Sequence, residues 1–124
     1  MDMTLRCEIF PDEIDVTVDF YQRVLGFRLA ADRRDETPPY AELRRGAVRI
    51  GAVEHALPNA RAARRPPAGL ELVLEVDDVT AERDRVLAAG WPLDDDLHDQ
   101  PWGLRDFRIL DPDGYYVRIT NRAG

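Results

Sequence analysis

Three short strings occur twice in this 124-residue chain, in the same order, and they dictate its plan. Asp15-Val-Thr17 returns as Asp78-Val-Thr80. Arg23-Val-Leu25 with Gly26-Phe27 returns as Arg85-Val-Leu87 with Gly90-Trp91. Val48-Arg-Ile50 returns as Val117-Arg-Ile119. One shared tripeptide means little, but three at the same stage of each half indicate a duplicated supersecondary unit. The chain is thereby confined to architectures built of two similar parts.

Local signals say what each part is. Thr4–Phe10 reads as a strand ended by Pro11, and Asp15–Leu25 as a helix. Its apolar stripe is Val16, Phe20 and Val24 beside Tyr21 and Leu25, with Asp15 as N-cap and Gly26 as stop. Phe27–Arg34 is a strand, and Tyr40–Arg45 with Ala47–Val53 a hairpin turning at Gly46. Residues 55–68, rich in proline, alanine and arginine, read as a long connection. The plan then restarts with Leu70–Val76, where Leu70, Leu72, Leu74 and Val76 face one way and Glu71, Val73 and Glu75 the other. Asp77 or Asp78 caps a helix over Val79–Ala89, which Gly90 stops. Trp91–Leu97 is a weak strand spoiled by Asp94-Asp-Asp96. Leu104–Leu110 and Tyr115–Thr120 form a hairpin around Asp111-Pro-Asp-Gly114, where proline presets one turn residue and glycine supplies a positive φ.

The expected fold is therefore α+β: two paired βαβββ modules forming a curved mixed sheet with a concave cup. It is expected as a single domain over 1–124, with module 1 about 3–54, the connection 55–68 and module 2 about 69–122. A cup of this kind is a natural small-molecule site.

Composition narrows the chemistry. A formal net charge of −7 argues against nucleic acid, whose phosphates need a basic footprint. No apolar run approaches the roughly 20 residues that span a bilayer, so no membrane partner is expected. The N-terminus carries no basic-then-apolar targeting pattern, and a cytoplasmic address is expected. All 17 basic residues are arginine, and the chain has neither lysine nor serine. A serine nucleophile, a lysine Schiff base and a P-loop lysine are excluded. The single cysteine, Cys7, excludes an internal disulfide, and its parity opposite Arg6 predicts burial against the helix.

Three stretches carry a resemblance. Asp15–Phe27 (DVTVDFYQRVLGF) resembles the first helix of the vicinal oxygen chelate superfamily. Glu75-Val-Asp-Asp-Val79 with its helix resembles that family's second-module opening. Trp102–Thr120 (WGLRDFRILDPDGYYVRIT) is similar to the ending shared by bleomycin-resistance proteins and glyoxalase-like proteins. The resemblance implies a homodimer, because such modules often pair across two chains. It also implies four positions that hold a divalent ion in the family's metalloenzymes, and here they fall on Arg6, Arg49, Glu71 and Arg118. Arginine keeps its charge and offers no lone pair to a metal. No metal and no cofactor are expected, and glyoxalase, dioxygenase or thiol-transfer chemistry is not.

If the four positions converge, two readings of them stay open. Glu71 bridges arginines in a structural ion cluster, or an excess of about two positive charges attracts an anionic ligand group. Trp102 and Tyr116 would add flat aromatic walls. The site expected is thus Arg6, Arg49, Glu71, Trp102, Tyr116 and Arg118. The leading function is metal-free binding and sequestration of an aromatic compound, with or without an anionic group, such as an antibiotic. The alternative is a metal-free isomerase, cyclase or lyase in which arginines stabilise an oxyanion and Glu71 moves the proton. The acids around His98 read as a solvated loop, with a surface divalent-ion site as the alternative.

Overall fold

The computed structural model of the chain describes residues 2–55 and 70–122. It divides into two compact units, Met1–Pro58 and Asn59–Gly124. The expected connection lies, apart from His55, outside the described residues.

The first unit runs β1 (Cys7–Ile9), α1 (Ile14–Asp19), β2 (Arg28–Arg33), β3 (Tyr40–Arg45) and β4 (Val48–Val53). Its sheet has the order β1-β4-β3-β2. Only β1 and β4 run parallel, with Cys7 opposite Ile50 and Glu8 opposite Gly51. The second unit repeats the βαβββ order with β5 (Leu72–Val76), α2 (Val79–Ala88), β6 (Asp95–Asp99), β7 (Arg105–Leu110) and β8 (Tyr116–Asn121). Its sheet has the order β5-β8-β7-β6, with the parallel pair at β5 and β8. Each unit is therefore a mixed four-stranded sheet with a helix, and the fold is α+β.

The period-2 alternation of the strands explains which sheet face carries the core. In the first unit Ile9, Ala41, Leu43, Ile50 and Ala52 are buried and α1 packs against β3 and β4. In the second, Phe107, Ile109, Val117 and Ile119 are buried and α2 packs against β7 and β8. Fully burying each large apolar side chain stabilises by roughly 1.5–3 kcal/mol. The other face of each sheet holds the alternate, polar residues.

The first helix departs from its expected form. It begins at Ile14, preceded by Glu13, which makes no side-chain cap. The Ile14 N–H instead donates to Glu54 Oε2 at 3.0 Å, so a residue from the far end of the unit does what Asp15 was expected to do. Val16 is 46% exposed while Thr17 is buried. At about 100° per residue Val16 stands about 200° round from the buried Ile14. The helix then widens into a π segment, Phe20–Val24, which turns Phe20 inward beside Tyr21. Their rings meet edge to face at 4.9 Å, and Tyr21 meets Phe27 at 5.5 Å.

The second unit follows its local signals closely. Asp78 caps α2 through Ala81 N–H at 3.0 Å, and Gly90 leaves the helix at φ 77°. In the β7–β8 turn, Asp111 Oδ1 accepts the N–H groups of Asp113 and Tyr115, both at 2.9 Å. The acid run departs from the expected weak strand over Trp91–Leu97. Asp95–Asp99 is a strand, its Asp95 opposite Arg108 and Asp99 opposite Arg105. Opposite charges paired across strands stabilise a segment whose composition alone disfavours one.

Candidate functional site

The β7–β8 hairpin sets the polar face of the second unit. Leu110 pairs with Tyr116, so Asp106, Arg108, Tyr116, Arg118 and Thr120 share one side, opposite the buried Phe107, Ile109, Val117 and Ile119. The register places Arg108 directly across from Arg118. Two like charges so placed repel, and Glu71 resolves the conflict. Its Oε2 lies 3.2 Å from Arg108 Nε and its Oε1 3.7 Å from Arg118 Nε. Asp95 Oδ2 lies 3.5 Å from Arg108 Nη1. Burial alone would weaken the Arg108 charge, but the hydrogen bond and charge of Glu71, with Asp106 and Tyr116, more than restore it and leave its pKa raised.

Asp106 is the most deeply placed charge of this face, its side chain 1% exposed. Its Oδ1 accepts from Gln100 Nε2 at 2.9 Å. Its Oδ2 stands 4.0 Å from Arg118 Nε, and neither atom has a hydrogen-bond partner. Such a separation is an ion pair without a hydrogen bond. Gln100 Nε2 also lies 2.8 Å from His98 Nε2, while His98 Nδ1 lies 3.0 Å from the Asp96 carbonyl oxygen. The network places the imidazole proton on Nδ1, leaving Nε2 to accept.

Tyr116 closes one end of the face. Its hydroxyl donates to Asp94 Oδ2 at 2.8 Å, and Arg108 Cζ lies 6.0 Å from its ring centre. Burial first, then the hydrogen bond and charge of Asp94, push the phenol pKa up to about 12. Trp102 lies in the turn between β6 and β7 and is 60% exposed.

The first unit's polar face carries Arg6, Glu8, Tyr40, Glu42, Arg44, Arg49 and Gly51. Arg6 pairs with Glu8 at 3.1 Å and Arg44 with Glu42 at 3.0 Å. Arg49 Nη2 donates to Thr4 Oγ1 at 2.7 Å. Gly51 lies between Glu8 and Glu42 in the register. A side chain there would overlap the Glu8 carboxylate and stand 2.9 Å from the Tyr40 hydroxyl oxygen, so glycine lets Glu8 fold down onto the sheet. Glu8 Oε2 is buried without a hydrogen-bond partner. Burial, followed by the charge of Glu8, raises the Tyr40 pKa.

The structure thus brings Glu71, Arg118 and Tyr116 onto one face and places Arg6 and Arg49 on the polar face of the other unit. Arg108, Asp106, Asp95, Gln100 and Glu8 belong to these faces and were absent from the sequence-based set. The parity of Arg108 and Asp106 was readable from the turn, since a tight turn fixes cross-strand register. Glu8 shares the parity of Arg6 on the first strand, whereas Gln100 carried no such signal.

On the second unit's face two arginines meet Glu71, Asp95 and Asp106, so that face by itself carries no surplus of positive charge. The donor set also disagrees with the divalent ion of the family's metalloenzymes. Three of the four implied positions are arginine, and the Glu71 carboxylate is shared between two guanidinium groups. Among the described residues no group of three or more His, Cys, Asp or Glu side chains is placed to hold a metal ion. No described helix is long and apolar enough to cross a membrane.

The structure is similar to TioX from Micromonospora sp. ML1, with 25% identity and a TM-score of 0.80 over 98% of this chain and 100% of that one. It is similar to TnmS3, an antibiotic binding protein from Streptomyces sp. CB03234, with 23% identity and a TM-score of 0.72 over 99% of this chain and 98% of that one. It also resembles a superfamily member from Sphaerobacter thermophilus DSM 20745, with 19% identity and a TM-score of 0.73 over 98% of both chains. No curated protein sequence matches the chain. A family profile matches residues 4–119, and the chain belongs to the glyoxalase/bleomycin resistance protein/dioxygenase superfamily.

Proposed function

We propose that this chain is a metal-free small-molecule-binding protein that sequesters an aromatic compound, as an antibiotic-binding protein does, and that it works as a cytoplasmic homodimer. The observation that carries the reading is the pair of buried, unsatisfied atoms on the second unit's face, Asp106 Oδ2 and Arg118 Nε. Buried polar atoms without partners are costly, and a ligand that supplies the partners gains what the free protein forgoes. The Tyr116 ring and the exposed Trp102 offer flat apolar surface in the same unit. The antibiotic-binding relative TnmS3 supports the choice of ligand class.

Binding without turnover fits the residues better than catalysis does. A proton-moving Glu71 would need a free carboxylate oxygen, and both of its oxygens face guanidinium groups. The balance of charge favours a neutral, hydrogen-bonding aromatic ligand over a strongly anionic one. The test is a thermal-shift screen against bleomycin- and mitomycin-type antibiotics and aromatic carboxylates, with the mixture assayed afterwards by chromatography. A ligand that raises Tm saturably and is recovered unchanged is the expected result. Failure of every compound to raise Tm, or steady consumption of the one that does, would overturn the proposal.

A further inference from the structure

Gln100 occupies the one deeply buried carboxylate of the second unit's polar face. Its amide spends one N–H on Asp106 Oδ1 and the other on His98 Nε2, at 2.9 and 2.8 Å. The backbone around it is a tight turn: Gln100 N–H donates to the Leu104 carbonyl at 2.7 Å, and Gly103 N–H to the Gln100 carbonyl at 3.0 Å. Gly103 sits at φ 91°, a conformation that suits glycine alone. The amide is therefore held over Asp106 by a short, defined turn.

That arrangement leaves an imbalance behind it. Asp106 is 1% exposed yet satisfied at one oxygen only, and Arg118 Nε next to the other oxygen has no hydrogen bond either. A carboxylate oxygen and a guanidinium N–H lying side by side form an acceptor–donor pair. The complementary group is one that presents N–H and C=O side by side, as a primary carboxamide or a lactam does. A carboxylate would repel Asp106, and a tertiary amide has no proton to give it.

From this we infer that the Gln100 side chain stands in for a primary carboxamide or lactam of the ligand, and that a ligand bearing such a group displaces it, donating N–H to Asp106 and accepting from Arg118. The inference rests on the binding function proposed above and narrows its ligand class. Displacement also means that Gln100 competes with the ligand, so the apparent affinity is lowered by the fraction of molecules in which the amide is seated.

The experiment uses three probes built on one benzene ring: benzamide, N,N-dimethylbenzamide and benzoate. Binding to the whole chain is followed by backbone and indole NH shifts in titrations of wild type and Gln100→Ala. Removing a competitor strengthens binding, so Gln100→Ala should take up benzamide about tenfold more tightly, the scale of one charge-assisted hydrogen bond. The gain should be absent for the other two probes, and adding Asp106→Asn should erase it. If Gln100→Ala binds benzamide more weakly or equally, or gains as much for the dimethyl amide, the inference fails while the binding function stands. If no probe shifts any resonance in either protein, whereas the antibiotic screen yields a ligand, the inference alone fails. If the screen is empty as well, both fall together.

Discussion

Tyr116 is held as a neutral phenol far above its ordinary range. Burial is the larger cause, and the Asp94 carboxylate that accepts the hydrogen bond of its hydroxyl at 2.8 Å adds to it, taking the pKa to about 12. An unfolded tyrosine ionises near pH 10. The folded pKa is the higher of the two, so the contribution of Tyr116 to stability is complete below about pH 10 and lost as pH rises towards about 12. Ultraviolet titration of wild type against Tyr116→Phe should isolate one phenol ionising near 12, and Asp94→Asn should bring it down part of the way, since burial remains. A wild-type midpoint near 10 would refute the contact. Tyr116 and its face-sharing with Arg118 were readable from strand parity. Asp94 as its partner was not, because a contact spanning 22 residues leaves no trace in local pattern.

The two helices show what local sequence can and cannot specify. Asp78 lies directly before α2 and caps it, so spacing and residue type sufficed to find it. The first N–H of α1 is capped by Glu54, which is 40 residues away and has no local signature. Removing either acceptor leaves an orphan N–H at a helix start and should cost about 1 kcal/mol. Urea unfolding of Asp78→Ala and Glu54→Ala should therefore give similar losses. A neutral Glu54→Ala would mean that water serves Ile14 equally well. The π segment Phe20–Val24 was hidden for a related reason: a 3.6-residue period fits only regular helix, and in the widened segment Phe20 and Tyr21 are both buried with their rings edge to face. The strand Asp95–Asp99 was hidden because its cross-strand arginines decide it, not its own composition.

At the level of the whole molecule the repeat predicted the βαβββ order of both units, but letter matching and sheet register part company. Cys7 and Leu72 each stand six residues before the position that precedes their helix, Glu13 and Asp78. Cys7 pairs with Ile50, whereas Leu72 pairs with Val117. The place that Arg118 holds opposite Val73 is held in the first unit by Gly51, opposite Glu8, although the shared tripeptide suggests Arg49. A two-residue slip keeps every side chain on its proper face, so alternation cannot reveal it. The duplicated sheets consequently present unlike faces, one with arginines at its centre and one with a glycine cradle under a glutamate. Each unit nonetheless has a similar terminal strand. The strands β1 and β5 each end their sheet, and exposed apolar side chains accompany both, Met3 and Leu5 before β1 and Leu70 and Val73 at β5. Exposed apolar side chains beside a terminal strand invite cover, and the proposed homodimer supplies it from a second copy. Light scattering on the eluting wild-type chain should give twice the 14.1 kDa of one copy. Leu5→Arg combined with Val73→Arg should return the mass of a single copy without loss of the far-ultraviolet spectrum. A wild-type mass of one copy at micromolar concentration would refute the dimer, and a variant that still doubles would move its interface away from these edges.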